Sequence, residues 1–325
     1  MPKTCSEPAW HPAARAAHGT LHGPTMGTRW SVTVDQGPEC DLQALQGDVA
    51  DAVEEVDAQM SPWKPDSALM RLNRAALDTW VTLPAEILQV LECALHIERL
   101  SAGAFDAGIG ALVDAWGFGA ARDAPDAAAI RAARTAQRPV THASLELDLG
   151  QRRARKHAPL TLDLCGIAKG YAVDRIAEVL ERHGVRHALA AVDGELRAVG
   201  ARAGGDPWAV ALERPEFGRR AVHGVIELAD LAIATSGDYR RYVRLGDVRL
   251  AHTIDARRGA PLDNAVASVS VLARSCMHAD AWATALLVAG PIEGLALAQR
   301  MGLEALWLLR RGGTLAEVGL GRFRG

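Results

Sequence analysis

Between residues 28 and 34 the chain reads Thr-Arg-Trp-Ser-Val-Thr-Val, with alternating apolar positions among strong β-formers, and this pattern predicts a strand. The period then changes. Leu42, Leu45, Val49, Val53, Val56 and Met60 recur at steps of three and four, the mark of a helix with one buried stripe. It stops at Ser61-Pro62-Trp63-Lys64-Pro65-Asp66-Ser67, where two prolines forbid continuation and Asp66 or Ser67 can cap a short helix over 68–74. Trp63 is thereby presented on a rigid loop. Residues 84–100 predict another helix, with Ile87, Val90, Leu91, Ala94 and Ile97 inward. From 103 to 119, five glycines lie among aromatic and acidic residues, a density more typical of a ligand-contacting loop than of a regular element.

Farther along, residues 126–136 predict a short surface helix, and 151–157 a solvated basic turn. Leu162-Asp163-Leu164-Cys165-Gly166-Ile167-Ala168-Lys169-Gly170 then reads as a strand delivering a glycine-rich turn and a lysine to a helix that runs to residue 183. From 185 to 271 the pattern is predominantly β, with short strands at 187–192, 196–199, 208–213, 222–228, 232–235, 242–250 and 267–271. Helices over 277–288 and 292–301 and a hairpin of 305–309 with 315–318 complete the chain. There is no clean linker and no internal repeat. The expected architecture is one compact α+β unit over 25–325, with mixed or antiparallel sheets flanked by helices, after a poorly structured extension over 1–24.

The composition of the 325 residues, 49% hydrophobic and 23% charged, is that of an ordinary globular enzyme. A net charge of −3 and the absence of a basic block argue against nucleic-acid binding. No run of 18 apolar residues predicts a membrane span, and the stretch over 281–290 fits a buried helix. The first 24 residues lack the apolar core of an export signal, and only Met-Pro-Lys-Thr precedes Cys5, so a cytoplasmic location is expected. Five cysteines (Cys5, Cys40, Cys93, Cys165, Cys276) are scattered without a Cys-x-x-Cys pair, which suggests free, mostly buried thiols.

The turn over 163–170 suits phosphate, because the first N–H groups of a helix lack partners, the dipole favours negative charge, and Lys169 adds a formal charge. Packing of the helix on a sheet explains the same glycines equally well. Asp280 and Thr284 lie four apart on one helix face and suit a hard cation such as Mg2+; a Thr bonded to its own helix and a solvated Asp would look the same. His252, at a strand end with Asp255 nearby, can accept a proton near neutral pH or be structural. The segment Thr235-Ser236-Gly237-Asp238-Tyr239 can hold a polar ligand or cap a helix. Phe105-Asp106 and Trp63 offer aromatics and a carboxylate to a planar heterocycle, or Phe105 is core.

Taken in order, these segments closely resemble the ApbE family, the FAD:protein FMN transferases. The resemblance rests on Met26-Gly27-Thr28, Met60-Ser61-Pro62-Trp63 with Asp66-Ser67 and Arg71-Leu72-Asn73, and Phe105-Asp106 with Trp116-Gly117-Phe118-Gly119. It continues through Asp163 to Asp174, Ala234 to Tyr239, His252-Thr253-Ile254-Asp255, and Ala279-Asp280 with Ala283-Thr284-Ala285. The resemblance implies that Met26, Trp63, Ala104, Phe105 and Asp106 contact the flavin and that Asp163, Lys169 and Ile254 are further FAD contacts. It likewise implies Mg2+ held by the Gly166 carbonyl, Asp280 and Thr284, with His252 as base and Asp280 also in the catalytic set. The implied reaction cleaves FAD between its phosphates, attaches FMN by a phosphoester to a Thr or Ser hydroxyl of an acceptor protein, and releases AMP.

Three departures from the family pattern stand out. Ala256 and Ala107 replace prolines common after His-x-x-Asp and Phe-Asp, which loosens two turns. Asp193 stands where a second glycine commonly precedes Gly-Glu-Leu, placing an extra carboxylate near the ligand. Many relatives are exported lipoproteins, unlike the expectation here. A Mg2+-dependent FAD pyrophosphatase and a flavin-binding protein without turnover remain as alternatives, since both could use the same residues.

Overall fold

In the computed structural model, residues 18–35, 41–135, 138–240, 242–245 and 248–324 are described. Strands β1 (His18–Thr25) and β2 (Thr28–Asp35) precede helices α1 (Leu42–Met60) and α2 (Ala68–Arg74), strand β3 (Val81–Thr82) and helix α3 (Ala85–Leu100). Short helices α4 (Gly110–Ala115), α5 (Ala127–Thr135) and α6 (Thr141–Ser144) lead to β4 (Leu145–Asp148), β5 (Arg153–Lys156) and the long helix α7 (Ala168–Arg182). Then come β6 (Ala188–Val192), β7 (Glu195–Val199), β8 (Trp208–Glu213), β9 (Val222–Leu228), β10 (Ala232–Gly237), β11 (Tyr242–Leu245), β12 (Val248–Ala251), β13 (Ile254–Asp255), β14 (Ala260–Pro261) and β15 (Val266–Ala273). Helix α8 (Cys276–Met301) and strands β16 (Glu304–Arg311) and β17 (Thr314–Gly319) follow.

Eight strands form one sheet in the order β1-β2-β6-β7-β10-β15-β16-β17, and every neighbouring pair is antiparallel. Helices α7 and α8 pack against it, and α1 and α3 lie outside them. The apolar stripe expected on α1 is the buried one: Leu45, Val49, Val53 and Val56 are almost inaccessible. A second apolar cluster forms where Trp208, Val210, Ile226 and Leu228 of the β8–β9 ribbon meet Ala198, Ile233 and Leu272 of the large sheet. Covered from two directions, β15 is buried along nearly its whole length.

Two local arrangements fix the elements that later carry chemistry. Asp174 on α7 accepts hydrogen bonds from the N–H groups of Cys276 and Met277, both 2.9 Å, from Ser275 Oγ at 2.7 Å, and from Arg197 at 2.7 Å. One carboxylate therefore ties the N-terminus of α8 to α7 and to the sheet, where orphan helix N–H groups need an acceptor. Farther along, α8 bends where Gly290 adopts φ 77 and Pro291 follows. Proline supplies no N–H for the Leu287 carbonyl, and Asn264 Nδ2 donates to it instead at 3.1 Å. The two expected helices thus form one kinked element. It is also the only described helix long and apolar enough to cross a membrane, and it is largely buried in the fold.

Several expectations are corrected. His18–Thr25 is an edge strand, which shortens the extension expected over 1–24; residues 1–17, with Cys5, lie outside the described residues, as does Cys40. The glycine-rich stretch over 103–119 contains the helical turn α4. The basic turn over 151–157 is largely β5, the middle of the three-stranded sheet β3-β5-β4. There Arg153 and Arg155 each sit 4.4 Å from the Trp80 ring, and the other face buries Ala154 and Lys156. The strand expected over 242–250 is the hairpin β11–β12. Cys93 and Cys276 are buried thiols, whereas Cys165 is exposed.

Candidate functional site

The twelve site residues expected from the sequence all line one cavity of about 1150 Å³. They reach it from six separate places in the chain. Met26 and Gly27 form the two-residue turn between β1 and β2, with φ 44 and 69, the left-handed conformation such hairpins require. Trp63 follows α1 on a loop pinned by Lys64, whose ammonium contacts Glu54 at 2.6 Å and Asp57 at 2.7 Å. The indole is 51% exposed at the cavity, the state of a platform for a planar ring.

Ala104 and Phe105 are buried beyond the end of α3, where the Phe105 N–H donates to Ser101 Oγ at 3.1 Å. Asp106 is held within the protein itself. Its Oδ1 accepts from the Gly108 N–H and from Thr141 Oγ1, both at 2.7 Å, and its Oδ2 from Arg138 at 2.6 Å. Arg138 also donates to the Ala256 carbonyl at 2.7 Å, which joins the Phe105 loop to the loop bearing Ile254. Neither Arg138 nor Thr141 was apparent from the sequence, because both lie outside the recognised motifs.

Residues 162–164, ahead of α7, belong to no sheet. Asn73 pairs with Leu162 as a neighbouring strand would, donating from Nδ2 to the carbonyl at 2.9 Å and accepting the N–H on Oδ1 at 2.8 Å. The Asp163 N–H reaches the Ala107 carbonyl at 2.8 Å, and the Asp163 carboxylate accepts the Cys165 N–H at 2.8 Å. Burial pushes the Asp163 carboxyl above its ordinary range, only partly offset by that bond. The strand expected here is thus replaced by a side-chain amide, one backbone bond and a carboxylate turned onto the chain that follows it.

Gly166 lies directly against α8: a Cβ on it would stand 3.3 Å from Thr284 Oγ1 and 3.4 Å from Phe105. Gly170 lets the helices touch, since a Cβ there would come 2.4 Å from the Cys276 carbonyl oxygen. Its N–H donates to Asp280 Oδ2 at 3.0 Å, so the start of α7 positions the carboxylate on α8. The Thr284 hydroxyl meets Ser236 Oγ of β10 at 3.0 Å. Asp280 is 3% exposed, and burial, reinforced by the nearby charge of Glu195, raises its carboxyl to about 7 despite Lys169 and the Gly170 N–H.

Lys169 is within 2.7 Å of Glu195 Oε1 and 3.9 Å of Asp193. Burial works against its charge, but Glu195, Asp280 and Asp193 outweigh that cost and hold the ammonium above its ordinary pKa. Asp193 itself adopts φ 54 in the turn between β6 and β7, a conformation that favours glycine, and Arg240 holds its carboxylate at 2.9 Å. The extra acid therefore belongs to a charged cluster at the cavity wall.

His252 follows β12 and packs edge-to-face on Phe118, with ring centres 6.5 Å apart. Asp255 is engaged with Arg257, accepting its backbone N–H at 2.9 Å and its Nε at 3.3 Å. Its carboxylate is buried and committed to Arg257 rather than held as a reserve of charge for the histidine. Ile254 lines the cavity from the same stretch.

Among the described residues no three His, Cys, Asp or Glu side chains converge on a common metal position. The cavity is lined by three hard-oxygen donors, the Asp280 carboxylate, the Thr284 hydroxyl and the backbone at Gly166, which packs against Thr284. That set suits Mg2+, which keeps several waters and takes the rest of its ligands from substrate phosphates.

A model described as the ApbE family matches residues 26–307. A FAD:protein FMN transferase of Vibrio cholerae is 36% identical over 94% of this chain and 91% of its own. The solved structure titled flavin transferase ApbE from Vibrio cholerae superposes with a TM-score of 0.84 at 34% identity, over 94% of this chain and 97% of that one. The apo form of the flavinyl transferase ApbE of Pseudomonas stutzeri gives a TM-score of 0.82 at 32% identity, over 93% and 94%.

Proposed function

The chain belongs to the ApbE family and is a transferase, and we propose that it moves FMN from FAD to a Thr or Ser hydroxyl of an acceptor protein. In this reading the acceptor oxygen forms a new bond to the FMN phosphorus, the bond to the AMP phosphate breaks, and AMP leaves. Trp63 and Phe105 hold the isoalloxazine, which fixes where the diphosphate lies. Lys169 sits beside the diphosphate and offsets the negative charge that grows on the departing phosphate. His252 accepts the proton of the attacking hydroxyl. Bound Mg2+, held by Asp280, Thr284 and the Gly166 carbonyl, supplies further charge neutralisation at the phosphates. Because the transfer is direct, no cysteine of the chain has to act as a nucleophile.

The observation that carries this reading is convergence: an aromatic platform, a lysine, a histidine and a hard-oxygen cluster, drawn from residues 26 to 284, face one cavity. Incubation with FAD, Mg2+ and a candidate acceptor tests it. Fluorescent acceptor with an equivalent of AMP is the expected result. Free FMN and AMP with unlabelled acceptor would make the protein a pyrophosphatase, and intact FAD would make it a binding protein.

A further inference from the structure

Glu195 opens β7, directly after the Asp193-Gly194 turn, and lines the cavity with Lys169 and Asp280. It is 2% exposed. Its two carboxylate oxygens have different surroundings. Oε1 receives Lys169 at 2.7 Å, but Oε2 is buried and has no hydrogen-bond partner. A buried acceptor left without a donor loses its hydration with nothing in return, the more so if charged, and folded proteins rarely tolerate one without a reason.

The charge around it is also unbalanced. Asp280 and Glu195 are both buried carboxylates, their charges repel, and among the described residues the ammonium that interacts with both is that of Lys169. Packing alone gives no cause for an acid at position 195, since an apolar residue at a buried strand end would avoid both costs. A hydrated divalent cation meets both needs. It supplies positive charge beside Asp280, and its water ligands supply O–H donors to a nearby bare oxygen.

We propose that Glu195 is a positioning residue of the metal site, its Oε2 accepting a hydrogen bond from a water on the Mg2+ that Asp280 and Thr284 bind. Through Oε1 it holds Lys169 at the same time, so one side chain sets the spacing between the cation and the ammonium that flank the diphosphate. The inference rests on the Mg2+ assignment made under Proposed function. It assigns to Glu195 a role that neither its place in the fold nor its ion pair requires.

Calorimetric titration of the full-length protein with Mg2+, in the absence of FAD, tests it directly. Glu195→Gln keeps the shape and an acceptor for Lys169, and it is expected to weaken Mg2+ about 10- to 100-fold, the usual effect of losing an outer-sphere partner. In transfer assays the half-saturating Mg2+ concentration rises by the same factor, while the rate at saturating Mg2+ changes much less. Glu195→Asp, which retains the charge, recovers part of the affinity. Unchanged affinity in Glu195→Gln, or no recovery in Glu195→Asp, overturns the proposal. Asp280→Asn is the control: if it too binds Mg2+ normally, the metal assignment itself fails, whereas loss there beside normal Glu195→Gln removes Glu195 alone.

Discussion

Gly170→Ala adds a single methyl group, and its consequence can be worked from the contact between α7 and α8. The new Cβ would lie 2.4 Å from the Cys276 carbonyl oxygen and 2.7 Å from Asp280 Cβ. That is about 1 Å short of ordinary contact, and the obstacle is backbone, so no side chain can swing aside. Overpacking of this kind costs about 1–3 kcal/mol. Separating the helices also stretches the Gly170 N–H bond to Asp280, which at 3.0 Å is a bond to a charged group worth about 1.5–3 kcal/mol. Alanine's advantage over glycine inside a helix returns about 0.5–1 kcal/mol. The net loss is therefore about 2–5 kcal/mol. Thermal unfolding with and without Mg2+ measures it, and Mg2+ titration should show weakened binding because Asp280 moves with α8. Gly47→Ala is the matched control: no atom lies within 4 Å of its added Cβ in α1, so stability should rise slightly. A Gly170→Ala protein as stable as the parent, with normal Mg2+ affinity, would refute the reasoning.

Three further outcomes are expected. His252→Ala should lose about 100- to 10,000-fold in transfer while FAD still binds; unchanged transfer in a labelling assay removes the histidine as the base. Asn73→Ala strips both partners from Leu162 and should destabilise the protein by about 2–4 kcal/mol, read by denaturant unfolding, with a loss below about 0.5 kcal/mol counting against the strand-like role. For pH, the native Asp280 carboxyl lies at about 7, above its ordinary 3.8, so in metal-free protein its protonated form favours folding. That contribution is fully present below the unfolded value and is lost as pH rises through about 7. Protons and Mg2+ compete for the same oxygens, so Mg2+ affinity should climb with pH up to that point and then level off; a flat profile in calorimetry at several pH values contradicts this.

Periodicity made the long elements legible. The stripes of α1 and α3 and the alternation of β2 report burial on one face, and burial is what the structure delivers. The failures have equally physical causes. Arg153 and Arg155 look like a solvated turn because charge hides the β alternation, yet their guanidinium groups cover Trp80 while Ala154 and Lys156 turn inward. Residues 162–164 read as a strand, but the partner of Leu162 is Asn73, and a side chain replacing a strand leaves no trace in hydrophobic patterning. The site residues themselves were legible as separate weak motifs whose order gave them meaning. What escaped were the supports: Arg138 and Thr141 behind Asp106, and Glu195 beside Lys169. Each acts through a contact distant in sequence, and no local spacing encodes that.

The bend in α8 interrupts the helical ladder at Gly290 and Pro291, the Leu287 carbonyl being taken by Asn264. Asp280 and Thr284 lie in the length before the bend, whose N-terminus Asp174 holds. Local opening in helices spreads through successive hydrogen bonds, so fraying that begins at Gly302 has a natural stopping point at the bend. Amide exchange should consequently separate into two cooperative blocks, a slow one around Asp280 and a faster one after Pro291. The end of the helix that carries Asp280 and Thr284 is thereby insulated from whatever breathing the carboxyl-terminal strands impose on the other.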